Sequence, residues 1–379
     1  MTRRERLLAT LQGKPVDRPA VSFYEIGGFA VDPGDPDTFN VYNDPSWRPL
    51  LQLAEDKTDV IRMAGPATRQ LHSDLVARHF ATETWSEGSA RYERTIVRAG
   101  ERSLTQTTRR DRDIHTVWVT EHLLKSVDDL KAYLTLPDEV WDSDADVTGI
   151  LEVERALGDA GIVMVETADP ICIAASLFSM ADYTVIALTE TALFHALLEK
   201  VARGLYRVVS QVAPQLPGRL WRIAGPEYAT PPYLPVRLFE EYVVRYTGPI
   251  VETIERHGGF ARIHCHGRVR EALPRFVAMG ASATDPIEPP PQGDVLLSDV
   301  RRDFGRDLAL FGNIEVADIE NLDPPEFERV ATRALADGTA GEGRGFVLMP
   351  TSCPYGRHIS ERTLRNYETM VRLVERFGG

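Results

Sequence analysis

From about residue 150 onward one pattern repeats, a short apolar run followed by a helical segment, and few folds accommodate it. The runs 161–167 (GIVMVET), 219–224 (RLWRIA), 261–267 (ARIHCHG), 281–285 (ASATD), 308–314 (LALFGNI) and 346–351 (FVLMPT) read as buried strands. Helical segments separate them, notably 236–256, 324–336 and 360–376. Such alternation implies a parallel sheet with helices outside it. Ala20-Val21-Ser22-Phe23 and the run from Thr58 to Met63 add two strands near the start, which makes eight. Eight units favour an α/β fold closed into a (β/α)8 TIM-type barrel over an open doubly wound sheet. A chain of 379 residues suits one such domain, spanning 1–379.

Local signals fill in the rest. Thr2 with Glu5 three residues later is a capping box for a first helix with Leu7, Leu8 and Leu11 on one face, and Gly13 ends it. Residues 90–123 alternate polar and apolar, with turn residues at Gly100 and around Asp111 to Asp113, and predict a small antiparallel β insertion beside the main sheet. Ser126 begins a short helix that stops before Pro137. Asp323 as N-cap with Pro324 at the first turn starts the helix that Gly338 terminates. Gly338, Gly341, Gly343 and Gly345 precede a strand and open no helix, so they read as a flexible turn at the inactive face and not as a phosphate loop. Pro289-Pro290-Pro291 follows a strand end and would stiffen a loop over the active face.

Charge narrows the partners. A net charge of −13 argues against nucleic acid, which needs clustered Lys and Arg, and against an anionic membrane surface. The three cysteines, Cys172, Cys265 and Cys353, are too few for a disulfide framework and point to a reducing cytoplasm. The basic but interrupted start lacks the apolar run of a signal peptide, and no stretch of about 18 apolar residues exists to span a membrane.

In a barrel, catalytic groups come from the C-terminal ends of the strands. Glu166, Glu227, His264, His266, Asp285, Asn313 and Cys353 all fall at or just beyond an expected strand end. Side chains two apart on a strand share a face, so His264 and His266 point together while Cys265 turns toward the helix layer. Two imidazoles on one face can reach one ion, and barrel closure brings the rim carrying Cys353 within range. Two His and one Cys leave one coordination position open, the pattern of catalytic zinc. Glu227 and Glu166 are candidates for the fourth position. A hydrogen-bonded histidine pair in a polar pocket, with Cys353 as a small buried side chain, is the alternative reading. Cys172 and Cys265 read as core residues.

These residues also resemble a known family. Arg4-Glu5-Arg6 through Asp17-Arg18-Pro19, Gly225-Pro226-Glu227, His264 through Gly267, Gly312-Asn313-Ile314 and Thr351-Ser352-Cys353 occur in the order seen in the uroporphyrinogen decarboxylase superfamily. Within it, they resemble the zinc-dependent, corrinoid-linked methyltransferases. The resemblance implies a (β/α)8 barrel with Zn2+ on His264, His266 and Cys353, and methyl transfer between a small molecule and a corrinoid (cobalamin) supplied by a partner protein. Glu227 is then a fourth ligand or proton handler, and Tyr24, Glu25, Glu166 and Asn313 line the substrate pocket. One departure stands out: His266 occupies a position where those methyltransferases carry cysteine. Imidazole in place of thiolate leaves zinc more positive, which suits an O-methyl donor better than a free thiol. The alternative is a metal-independent decarboxylase or lyase. Porphyrinogen decarboxylases place an Arg-rich loop after the first strand, whereas Phe23 to Phe29 here holds no Arg and includes Glu25, which would repel a polycarboxylate.

Overall fold

The computed structural model describes residues 1–377 and has the eight-stranded parallel sheet of a TIM-type barrel. Its strands are β1 (Ala20–Val21), β2 (Val60–Ala64), β3 (Gly161–Ala168), β4 (Leu220–Ala224), β5 (Phe260–His264), β6 (Ala283–Asp285), β7 (Ala309–Ile314) and β8 (Phe346–Pro350). Neighbours run in the order β1-β8-β7-β6-β5-β4-β3-β2, all in parallel register. The seam between β1 and β2 is closed by a double contact. Asp59 N–H donates to the Val21 carbonyl at 2.7 Å, and the Asp59 carboxylate accepts from Val21 N–H at 2.9 Å. The same buried carboxylate takes Arg6 Nη1 at 2.5 Å and Arg18 Nη1 at 2.9 Å, which ties the first helix to the seam.

Alternation along the strands sorts side chains into two cores. Ile61, Met63, Ile162, Met164, Leu220, Ala283, Phe311, Val347 and Met349 face inward and pack with Leu7 and Leu11, so the first helix plugs the N-terminal end of the barrel. The expected capping box holds that helix: Glu5 N–H donates to Thr2 Oγ1 at 3.1 Å and Thr2 N–H to Glu5 Oε2 at 2.9 Å. The second core lies between the sheet and the outer helices and includes Cys265, as its strand position predicts.

The insertion is larger than the sequence reading, with four antiparallel strands, Phe80–Glu87, Ala90–Ala99, Arg102–Asp111 and Val117–Glu121. A separate two-stranded pair, Ala67–Gln70 with Ser143–Asp146, was not anticipated. Asp323 does precede the helix Pro324–Gly338, but its carboxylate makes no capping bond and lies 3.6 Å from Arg362 instead. The 236–256 segment is helical with a wider π turn at Glu240–Val244, ahead of Pro249, which cannot donate to the helix ladder. Among the described residues no helix is long and apolar enough to cross a membrane.

Candidate functional site

The C-terminal mouth of the barrel is polar because the same alternation that fills the interior ends in charged residues. Glu166, Arg222, Arg262, His264 and Asp285 continue the inward rows of β3 to β6. Arg222 Nη1 donates to Glu166 Oε1 at 2.6 Å, so Glu166 is committed to an ion pair on the inner wall. Arg262 is fully buried and lies 2.9 Å from Asp285 Oδ1, in the geometry of an ion pair and not of a directed hydrogen bond. Burial opposes ionisation of Asp285, but Arg262 and His264 hold its carboxyl below the usual carboxylate range.

His264 and His266 stand side by side with ring centroids 4.8 Å apart and planes at 90°. His264 Nδ1 lies 2.8 Å from Asp285 Oδ2, and His266 Nδ1 lies 2.8 Å from Glu288 Oε1. A carboxylate only accepts, so each Nδ1 carries the proton; the neutral His264 ring presents a lone pair at Nε2, and His266 does so once its Nε2 is deprotonated. Burial pushes the His264 pKa down to about 4, which keeps that ring neutral. Burial works the same way on His266, but Glu288, Glu227 and Asp285 outweigh it and hold its pKa above the ordinary value. Glu288 is itself fixed by Gly267 N–H, 2.5 Å from its Oε2. Tyr24 stacks on His264 at 5.8 Å, is buried with its hydroxyl unpartnered, and adopts φ +58°, a sparsely populated conformation for tyrosine.

Glu227 follows β4 on a turn that requires Gly225: φ there is +116°, and a Cβ would fall 2.1 Å from Cys172 Cβ. Glu227 and His266 line one cavity of about 300 Å3 together with Thr230, Tyr233, Arg268 and Gln292. Glu227 Oε2 has no hydrogen-bond partner, and burial raises its pKa. A larger cavity of about 460 Å3 opens elsewhere, and Asn313 lines that one, beside Pro289 and Arg329. Asn313 therefore does not share the cavity of His266 and Glu227.

Cys353 is buried on the loop after β8, where its thiol donates to Glu25 Oε2 at 2.7 Å. Burial and then Glu25 push this thiol up well above its usual value. Arg357 anchors the loop: it donates to Asp113, Asn43 and the carbonyls of Asn40 and Arg112, and its own carbonyl accepts from Trp47 Nε1 at 3.0 Å. The histidine pair fits a zinc ion in donor type and orientation. The third donor stands apart, since among the described residues no three His, Cys, Asp or Glu side chains converge as a metal-holding group.

Glu288, Arg222 and Arg262 were not singled out from the sequence. Both arginines were detectable by period two, Arg222 two residues after Leu220 and Arg262 two before His264. Glu288 lies in the proline-rich loop that follows the strand beside the His-x-His strand. Glu315, just beyond β7, is another missed carboxyl, raised to about 7 by burial and the nearby Glu288. If His266 ligates zinc, replacing Glu288 with Gln should leave the fold intact but weaken zinc binding about 10–100-fold, the usual loss when a histidine's orienting carboxylate is removed; zinc titration against a competing chelator measures it.

Asp169, just past β3, lies outside this chemistry. It caps the helix Pro170–Ser176 by accepting from Ile171 N–H at 2.8 Å, and burial raises its pKa to about 7. Its folded value thus exceeds the unfolded value of about 3.9, so its stabilising contribution is full below about pH 4 and disappears as pH rises through about 7. Asp169→Asn keeps the cap and removes the titration. Its melting temperature relative to the parent should be more favourable at pH 8 than at pH 5, as thermal melts at both pH values will show.

Fold and mouth together define a (β/α)8 barrel with an acid- and histidine-rich centre at its C-terminal rim. The uroporphyrinogen decarboxylase (URO-D) family model matches residues 114–376, more than half of the chain, and the chain belongs to that family. Among solved structures it is similar to a methyltransferase from Methanosarcina mazei, with 15% identity, TM-score 0.60 and 100% of each chain covered, a likeness of fold. A Bacteroides ovatus GH5 xyloglucanase in complex with a XXXG heptasaccharide is matched over 78% of this chain and 93% of that one, at 9% identity and TM-score 0.28. Comparison with curated proteins gives no match.

Proposed function

We propose that this chain is a zinc-dependent methyltransferase that moves a methyl group between a small molecule and a corrinoid carried by a separate protein. The observation that supports it most is the carboxylate behind each histidine, Asp285 for His264 and Glu288 for His266. That arrangement leaves each Nε2 as the ring nitrogen away from the carboxylate and is the usual backing of metal-bound imidazoles. The fold likeness to the Methanosarcina mazei methyltransferase points the same way.

His264, His266 and Cys353 would hold the ion, which supplies a Lewis acid at the heteroatom that releases or receives the methyl group. Cys353 can ligate only as thiolate, and its proton already points at Glu25 Oε2, which is placed to take it. Glu227, protonated more readily than an exposed carboxyl, is placed to give a proton to a leaving oxygen in the cavity it shares with His266. Tyr24 holds the His264 ring in place by stacking. With imidazole at 266 in place of a thiolate, methoxylated donors are favoured over free thiols.

A metal-free lyase or decarboxylase is the second reading, favoured by the Cys353–Glu25 contact that keeps the thiol from the histidine pair. An anaerobic assay separates the two. The protein is mixed with cob(I)alamin and a panel of methoxylated, methylamine and thioether donors. Methylcobalamin absorbance that grows, stops after chelation and returns with zinc is the expected result. Decarboxylation that is indifferent to chelation, without methyl transfer, would establish the lyase.

A further inference from the structure

The opposite end of the barrel holds a cavity that methyl transfer does not use. It measures about 340 Å3 and lies among the residues before β1, the turn before β8 and the end of the last helix. Lys14, Arg18, Arg301 and Arg344 line it, beside Phe346 and Phe377. Arg301 is only 7% exposed. Its Nε donates to the Ala340 carbonyl at 2.8 Å and its Nη1 to the Arg344 carbonyl, which leaves Nη2 without a protein acceptor. Arg344 Nη1 reaches only carbonyls, Leu11 at 3.0 Å and Ser282 at 3.4 Å.

Among the described residues no carboxylate pairs with Lys14, Arg301 or Arg344. The acids nearby are committed elsewhere. Asp17, which also lines the cavity, accepts from Arg6 at 2.7 and 2.9 Å, and Asp59 holds Arg6 and Arg18. Tethering of the 340–344 turn explains two nitrogens of Arg301 but not the lack of an acid. A buried arginine ordinarily has one. Arg301 is buried and Arg344 half-buried without an acid, which is costly unless an anion completes the site, and the exposed Lys14 adds a third positive charge at its rim.

We propose that this cavity binds a small organic phosphate, its phosphoryl oxygens on Lys14, Arg301 and Arg344 and its organic part against Phe346 and Phe377. Guanidinium forks suit phosphate geometry, and the charge count favours a dianion over a monoanion. The ligand would join the Lys14–Pro19 segment, the turn before β8 and the last helix. Its effect falls on stability and not on turnover, as expected for that face of a barrel.

Phenyl phosphate and inorganic phosphate are titrated into the purified protein by calorimetry and thermal melting, against potassium chloride at equal ionic strength. Phenyl phosphate is expected to bind at a single site and raise the melting temperature saturably, with inorganic phosphate weaker. Loss of one charged contact in Lys14→Gln should weaken binding about tenfold or more. Arg301→Gln should abolish it, and Arg302→Gln, an exposed neighbour paired to Asp299 and Asp303, should change nothing. If Arg301→Gln does not fold, Lys14→Gln and Arg344→Gln decide the matter. A melting shift no larger than that of chloride, or unchanged binding in both of those variants, would overturn the site. Equal affinity for the two phosphates would overturn its organic half.

Discussion

His266→Ala is expected to lose bound zinc and to transfer methyl groups at least about a hundredfold more slowly than the parent, because a ligand matters more than its outer partner, whose loss alone costs about 10–100-fold. His266 is the better histidine to remove. Its side chain is 37% exposed and lines the open cavity, whereas removing His264 would leave the buried Asp285 Oδ2 without its hydrogen-bond partner. Elemental analysis and single-turnover transfer to cob(I)alamin give the two readouts, and circular dichroism checks that the barrel persists. Full transfer by the variant would remove the histidine from the chemistry.

Asp59→Ala is expected to bring the largest loss of stability. Its carboxylate is fully buried and accepts from Arg6, Arg18 and Val21 N–H, so it joins the plug helix, the segment before β1 and the β1–β2 seam. Removing one partner of a buried ion pair costs about 3–5 kcal/mol, since the stranded charge is left without compensation. Arg6 retains Asp17, which places the expectation at the lower end of that range. The midpoint of guanidinium chloride unfolding should fall accordingly. An unchanged midpoint would mean that backbone contacts alone close the barrel.

The barrel was legible because its strands are short, mainly apolar runs that alternate regularly with helical segments. Only the register of the ends moved: the run read as 261–267 is strand from Phe260 to His264, with His266 just beyond it. The first strand of the insertion escaped notice because Phe80–Glu87 is largely exposed and carries no apolar alternation. The wholly exposed strand Ala67–Gln70 was silent for the same reason. At the site, the pairing of His264 with His266 followed from strand periodicity, and Tyr24 came only from the family resemblance. The carboxylates behind the histidines did not, because they depend on which strands become neighbours: β6 beside β5 brings Asp285 and Glu288 to residues 21 and 22 positions earlier. Asn313 and Cys353 show the converse. Both lie at strand ends as expected, yet one opens on another cavity and the other turns to Glu25, since position on a rim does not fix the direction of a side chain.

The most direct measurement is zinc content of the purified parent protein by elemental analysis, joined to X-ray absorption at the zinc edge. The expected result is about one zinc per chain, with nitrogen neighbours at about 2.0–2.1 Å and a sulfur at about 2.3 Å. A protein that takes up no zinc, or a zinc shell without sulfur that survives in Cys353→Ala, would contradict ligation by His264, His266 and Cys353.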